Sequence, residues 1–240
     1  MYIPNYNSKD YIRECIESAL ALTYPDFEIL INDDGSTDGS LEICEEYAQQ
    51  DDRIKIFYKS KPSGSCGDIN TTVGNAKGTI IAKLDSDDII IPHFWETVLP
   101  YFEDDNVGFV RIGLIISKGE DRLKLAPFPW NSMLDLFLSN KIFGCSPFRL
   151  KMFNDVRGWD IGRLHPDWDF WIRCVLRGWK WNDCIEPLYV YRKRKDSLIG
   201  SLTAEKQERD LTYYRDKYKD VLRNFGMKSA EPYSSKIGDY

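Results

Sequence analysis

Short apolar strands and amphipathic helices alternate from Tyr2 to Leu84, and this alternation constrains the fold more than any other feature of the chain. "YIPNYN" reads as a strand end. A helix follows from about Ser8, with Tyr11, Ile12, Cys15, Ile16, Ala19 and Leu20 on one face at helical spacing. "FEILIN" is a short apolar strand, and "DDGSTDGS" is a turn rich in helix-capping residues. The next helix sets Leu41, Cys44, Tyr47 and Ala48 inward; "RIKIFYK" is a strand and "PSGSCGD" a loop. A short helix over 69–76 ends near Gly78, and "TIIAKL" is a strand that runs into "DSDD". Strands joined by crossover helices must pair in parallel, so the expected class is α/β with a doubly wound, Rossmann-like sheet. Ligands of such sheets lie beyond the carboxyl ends of the strands. Three polar clusters, "NYN", "NDDGS" and "DSDD", fall at three such ends, and the expectation is that they converge on one crevice.

The second half is less regular. "HFWETVLPYF" reads as helical and "VGFVRIGLIIS" as a strand, while residues 118–131, with two prolines and scattered charge, read as a mobile loop. "SMLDLFLSN" suggests a short helix, and "FRLKMFNDVRGWD" a helix or turn ending near Gly158. After "HPDWDF" comes a helix with Trp168, Trp171, Ile172, Val175 and Leu176 on one stripe, closed by Gly178. "CIEPLYVYR" is a strand, and residues 203–225 form one long helix using Leu211, Tyr214, Tyr218, Val221, Leu222 and Phe225. No internal repeat or long linker is present. The expected organisation is one domain over 1–226: a ligand-binding half (1–90), a second half (91–200) and a C-terminal helix (201–226), with a loose tail at 227–240.

With 42% hydrophobic and 29% charged residues, the chain has the composition of a globular protein and can bury a sizeable core. A net charge of −6 argues against nucleic acid as the partner. The basic run Arg192, Lys193, Arg194, Lys195 is either a solvated strand end or a contact to phosphate or a membrane surface. The six cysteines include no CxxC pair, and Cys15, Cys44 and Cys174 fall on apolar helix faces. These thiols are therefore expected to be reduced, in a cytoplasmic setting, with peripheral attachment to the inner face of a membrane left open. With only His93 and His165 available, a multi-histidine zinc site is excluded, and any metal must take oxygen ligands.

"DSDD" by itself is a common pattern that fits a capped turn. At the end of a buried strand its carboxylates would repel one another unless a cation joins them. Mg²⁺ or Mn²⁺ needs only one or two protein carboxylates, the rest coming from water and phosphate oxygens. Asp87 is read as a direct ligand and Asp85 as a ligand to metal, ribose or water. Ser86 turns away, and Asp88 caps or solvates the following turn. In "DDGSTDGS", Asp34 is placed as a ligand for a base or ribose and Asp38 as a cap.

Taken in order, "YIPNYN", "YPDFEILINDDGSTDGSLEICEEYA", "INTTVGNAKGTIIAKLDSDD" and "HPDWDFWIR" resemble glycosyltransferase family 2, the nucleotide-sugar-dependent enzymes of GT-A fold. The resemblance covers roughly Tyr2 to Arg192 and is densest before residue 90. It implies an inverting transfer of a sugar from a nucleotide-diphosphate donor, a UDP-sugar first, to a carbohydrate or lipid-linked sugar acceptor, in polysaccharide or glycoconjugate synthesis. By position, Pro4 and Tyr6 would flank the nucleobase, with Asn7 beside them, and Asp34 would bind the base. Asp85 and Asp87 would form the metal site, with Ser86 on the donor, and Asp167 would be the general base. Mn²⁺ or Mg²⁺ would be the cofactor.

Inverting displacement needs a base opposite the leaving group and a cation for the departing diphosphate, and the residues supply candidates for both. Asp167 opens the Trp168–Leu176 helix, where it is either the base or a cap; Asp169 is the rival base. Arg173 is either a phosphate contact or a polar-face residue. The family's frequent Arg before Asn70 is Ile69 here, and its acidic residue before the base is Pro166. Its "YRxH" reads Tyr191-Arg192-Lys193-Arg194, which makes Arg192 and Arg194 candidates for a phosphate clamp. Trp168 and Trp171 fit the core, whereas Trp130 and Trp159 are the candidates for contact with an acceptor sugar or a phosphate. Two other readings stand beside this one: an inactive nucleotide-sugar-binding partner subunit, and a nucleotidyltransferase. "NYNSKD" lacks the Gly-rich phosphate loop that a nucleotidyltransferase would need.

Overall fold

The computed structural model describes residues 1–62, 69–119, 121–125, 133–138, 140, 142–161, 165–194 and 204–224. Chain order begins with β1 (Tyr2–Asn5), α1 (Lys9–Leu20), β2 (Ile29–Asp33), α2 (Ser40–Ala48), β3 (Ile54–Tyr58), α3 (Ile69–Gly74), β4 (Ile80–Ile81) and β5 (Ile89–Ile90). It continues with α4 (Phe94–Val98), a 3₁₀ turn at Leu99–Phe102, β6 (Val107–Lys118), β7 (Asp121–Leu125), α5 (Met133–Leu138), β8 (Phe148–Arg149), α6 (Leu150–Asp155), α7 (Pro166–Leu176), β9 (Lys180–Arg192), α8 (Ala204–Lys217) and α9 (Lys219–Asn224).

β1, β2 and β3 pair in parallel, with Tyr2 opposite Leu30 and Ile29 opposite Ile54. On the free side of β1, the Tyr2 amide donates to the Ala82 carbonyl at 2.9 Å and the Leu84 amide to the Tyr2 carbonyl at 3.0 Å. The strand expected over "TIIAKL" is thus split. Ile80 and Ile81 pair antiparallel with β8, and the chain then crosses to β1 through a bridge at Lys83. That crossing joins the parallel half to a mixed sheet of order β4-β8-β6-β9-β5, with β7 on β6. β6 and β9 run in parallel along most of their length.

Pleating divides the strand residues between two cores. Ile3, Ile29, Ile31 and Ala82 face α1, α2 and α4, where Ile12, Cys15, Ile16, Cys44 and Phe94 meet them. Tyr2, Leu30, Ile81 and Phe109 face α3, α6, α7 and α8, an aromatic cluster that contains Phe148, Phe153, Trp168, Phe170 and Trp171. Helices on both faces of a largely buried sheet are the doubly wound arrangement expected from the alternation.

Three expectations need correction. Within 118–131, residues 121–125 form β7, an antiparallel partner of β6 with Lys118 opposite Asp121 and Leu114 opposite Leu125; the alternating "DRLKL" lies as a strand because β6 offers a free edge. The helix over 203–225 divides at Tyr218 into α8 and α9. The strand at "CIEPLYVYR" begins earlier, at Lys180. Among the described residues five cysteines are buried free thiols; Cys66 lies outside them. Among the described residues no helix is long and apolar enough to cross a membrane.

Candidate active site

The turn after β2 is built on Asp33, which is fully buried. One of its oxygens takes the Gly35 amide at 3.1 Å and the Ser36 amide at 2.9 Å. The other takes the Asn5 amide group and the Ser36 hydroxyl, both at 2.6 Å. A carboxylate given four donors organises its loop and has little left for a ligand. Gly35 holds φ +80°, and a Cβ there would lie 2.9 Å from Pro62 N, so the turn admits only glycine. Of the two neighbouring aspartates, then, Asp33 is structural, and Asp34, also buried, follows it with its amide on the Asn5 carbonyl at 3.0 Å. Asp38 accepts from the Lys9 amide at 2.8 Å and the Ser40 amide at 2.9 Å, and so caps the starts of α1 and α2 together.

The end of β1 is bound to this turn. Asn7 accepts from the Thr37 amide at 2.9 Å and donates its own amide to the Ser36 hydroxyl at 3.0 Å, with a left-handed φ of 47°. Pro4 lies in β1 opposite Asn32, and Tyr6, which follows the strand, is 54% exposed. An exposed ring at a strand end can flank a planar base. "NYN" and "NDDGS" therefore converge as expected, and β1, which pairs with both β2 and residues 82–84, carries "DSDD" to the same end of the sheet.

Within "DSDD" the three carboxylates have separate surroundings. Asp85 pairs with Lys83 at 2.7 Å and Asp87 with Arg194 at 3.2 Å. Asp88 is 1% exposed, which corrects the expectation of a capping or solvated residue. It accepts the Tyr189 hydroxyl and the Arg192 amide, each at 2.8 Å, because the turn folds back over β9. Burial first, then Asp85 and Asp87, push its carboxyl up to about 8. Burial, and next Asp85, also raise Asp87, against the pull of Arg194 and Lys83. Ser86 is buried.

Among the described residues no group of three or more His, Cys, Asp or Glu side chains is arranged to hold a metal ion. A carboxylate raised by burial and by a neighbouring carboxylate, as Asp87 is beside Asp85, does suit a hard cation that completes its shell with water and phosphate oxygens. Asp85 and Asp87 fit that donor set.

Asp167 lies in the first turn of α7, and its Oδ2 accepts from Asn140 Nδ2 at 2.9 Å. Gly144 faces it. A Cβ built on Gly144 would stand 3.5 Å from Asp167 Oδ2 and 3.9 Å from Lys83 Nζ. The carboxylate of α7 and the ammonium bound to Asp85 thus border the same small space, left open by a missing side chain.

The remaining candidates sort themselves by contact. Asp169, the rival base, is fully buried, accepts from Arg173, Lys217 and Tyr218, and does not reach this space. Arg173 donates to Asp169, to the Val156 carbonyl at 2.6 Å and to the Gly158 carbonyl at 2.7 Å, so the guanidinium anchors the helix and a phosphate contact is not its role. Arg192 pairs with Glu14 at 2.5 Å, and Arg194 stacks on Tyr11 at 4.7 Å while it pairs with Asp87. Trp159 is 6% exposed and packs on Tyr2, Phe148, Phe153 and Phe170, which corrects its expected place in an acceptor groove. Trp168 and Trp171 are core, as expected. Trp130 lies outside the described residues. Sequence reasoning missed Lys83, whose signal is a lone cation in an apolar strand. It also missed Gly144, Asn140 and Tyr189, which carry no local signal.

A parallel half with carboxylates at its strand ends, joined to a mixed sheet, is the arrangement of the GT-A fold. The model of the glycosyl transferase family 2 matches residues 1–156, and the chain belongs to that family and is a glycosyltransferase. A putative teichuronic acid biosynthesis glycosyltransferase of Bacillus subtilis, TuaG, is 33% identical over 202 residues, 82% of this chain and 80% of its own. Among solved structures, Staphylococcus aureus TarS 1–349 in complex with UDP-GlcNAc superposes with a TM-score of 0.73 at 18% identity, covering 99% of this chain and 75% of its own. The mannosyltransferase PcManGT of Pyrobaculum calidifontis, in complex with GDP-Man and Mn²⁺, gives 0.68 at 16% identity over 91% and 63%.

Proposed function

We propose that this enzyme transfers a sugar, with inversion, from a nucleotide-diphosphate donor to a hydroxyl of a carbohydrate or lipid-linked sugar acceptor, in polysaccharide or glycoconjugate synthesis. The observation that carries this reading is the space at Gly144, bordered by Asp167 on one side and by Lys83 with Asp85 on the other. Pro4 and Tyr6 flank the base, Asn7 supports the turn, and Asp34 accepts from base or ribose. Ser86 and Asp85 border the donor, and Asp85 and Asp87 hold Mn²⁺ or Mg²⁺. When bound, such a cation neutralises the departing diphosphate. Asp167 takes the acceptor hydroxyl's proton, and Asn140 holds its carboxylate in place. The acceptor oxygen forms its bond to the anomeric carbon as the carbon–oxygen bond to the diphosphate breaks on the opposite face. Lys83 lies where charge develops on the leaving group. TarS with UDP-GlcNAc and PcManGT with GDP-Man support a nucleotide-sugar donor, and the Mn²⁺ of the latter supports the metal. A UDP-sugar is the first donor to test, and the residues of 1–226 act as one catalytic domain.

The test is calorimetric binding of UDP, GDP and dTDP with Mn²⁺, followed by nucleotide release from the corresponding sugars. Asp167→Asn is expected to bind nucleotide and turn over none, and Asp87→Ala to lose the metal-dependent part of binding. Undiminished turnover by Asp167→Asn would remove the base from this reading, and unchanged affinity in Asp87→Ala would remove the metal site.

A further inference from the structure

Both flanks of the proposed base in α7 are held by the end of α8 and by Tyr218, which joins it to α9. The backbone carbonyl of His165, two residues before Asp167, accepts the Tyr214 hydroxyl at 2.9 Å. The carboxylate of Asp169, two residues after it, accepts Lys217 Nζ and the Tyr218 hydroxyl on one oxygen, each at 2.6 Å. Its other oxygen takes Arg173 Nε at 2.7 Å. Tyr214 and Tyr218 are 1% and 5% exposed, and the Asp169 side chain is fully buried. Lys217 and Tyr213 have a second partner in Asp160, at 3.3 and 3.2 Å.

Helix geometry turns these bonds into an orienting device. Residues two apart on an α-helix point about 200° from each other, so Asp167 and Asp169 face opposite ways. A rotation of the first turn of α7 that moved Asp169 off its donors would carry Asp167 away from Asn140 and the Gly144 space. Charge-assisted bonds to a buried carboxylate are short and directional, and they resist such a rotation more than apolar packing does.

We propose that the C-terminal end of α8, with the Tyr218 junction that follows it, is the positioning element of the catalytic base: Tyr214, Lys217 and Tyr218 fix the first turn of α7 from both flanks of Asp167. The inference rests on Asp167 being the base, and it concerns residues beyond the segment matched by the family model.

The test compares Tyr214→Phe, Tyr218→Phe, Lys217→Met and the Lys217→Met/Tyr218→Phe double variant with wild type. Each tyrosine variant keeps the ring, and Arg173 still partners Asp169 in all of them, so the fold is retained. Turnover of the nucleotide sugar from which the wild type releases nucleotide is read together with UDP affinity in Mn²⁺ and with amide exchange over 165–170. The expected result is a kcat lowered about 10-fold or more in the double variant, since an error of about 1 Å in placement can cost 10²-fold. UDP affinity stays within about two-fold while exchange at 165–170 quickens, because binding and placement are separate effects. Lys217→Arg recovers much of the loss, and Asp160→Asn, which keeps an oxygen acceptor for Lys217 and Tyr213 and does not contact Asp169, leaves kcat unchanged. Faster exchange or a lower Tm with kcat intact would show a structural tie alone and overturn the proposal. An active Asp167→Asn sinks the base reading itself; an inactive Asp167→Asn beside a fully active double variant sinks only the role of α8.

Discussion

Tyr189 donates its hydroxyl to the buried carboxylate of Asp88 at 2.8 Å, across 101 residues of sequence. The same oxygen accepts the Asp85 amide at 2.9 Å, so one phenol on β9 pins both ends of the acidic turn. The Arg192 amide supplies the second donor to Asp88. The turn that carries the proposed metal ligands is therefore built by a strand from the far end of the chain.

Tyr189→Phe removes that pin and leaves a buried acceptor with one donor fewer, at a cost of about 1–3 kcal/mol. Thermal unfolding should show a lower Tm, and Mn²⁺-dependent UDP affinity should fall with it. A lower Tm at unchanged affinity would mean that Asp85 and Asp87 hold their places without Tyr189.

Gly144 tests the space between the two halves of the site. A methyl group there meets Asp167 and Lys83 only at ordinary contact distance, so Gly144→Ala should fold normally. Gly144→Val should fill the space. Its Tm should be close to wild type and its UDP affinity nearly intact, while turnover falls about 10-fold or more through misplacement of the reacting groups. Equal turnover in wild type and Gly144→Val would place the reaction elsewhere.

Trp159 separates core from acceptor site. Asn70 binds its backbone on both sides, donating to the carbonyl and accepting the amide at 2.9 Å each, and its ring is enclosed by aromatic neighbours. Trp159→Ala should cost about 3–5 kcal/mol, as large-to-small core changes do. Trp159→Phe should lower stability less and leave the acceptor KM unchanged. A raised acceptor KM in a stable Trp159→Phe would return this ring to the groove.

Asp169 gives the pH dependence. Burial raises its carboxyl, but the bonds from Lys217, Tyr218 and Arg173 outweigh burial and hold it below the usual 3.8. A carboxylate whose pKa is depressed by folding stabilises the native state above its unfolded pKa and loses that contribution as pH falls through the folded value. Asp169→Asn should therefore be destabilised at pH 7, by about 3–5 kcal/mol for a broken buried pair, with the difference from wild type shrinking below about pH 4. Chemical unfolding at pH 7, 5 and 3 checks this; a constant difference would exclude the linkage.

The parallel half was legible because its causes are local. Helix α1 shows its buried face in the spacing of Ile12, Cys15, Ile16 and Ala19, and β2 opens on the apolar run Ile29, Leu30, Ile31. The aspartates could be located but not sorted. Asp33 and Asp34 look alike in sequence, yet only Asp33 lies where Asn5, Ser36 and Gly35 all donate to it. The strand β7 was missed because its composition is that of a loop, and the edge of β6 that pairs with it is a tertiary fact.

Periodicity and turn chemistry act over a few residues, and so the sequence by itself determined the α/β class, the family and the end of the sheet where the site lies. Tertiary structure alone decided which carboxylates can act. Asp88 became a buried anchor because β9 folds over it, and Asp169 because the junction of α8 and α9 brings Lys217 and Tyr218 to it. Asp167 was left facing Lys83 because Gly144 places no side chain between them. Those outcomes depend on burial and on groups far away in sequence, which no local pattern of residues encodes.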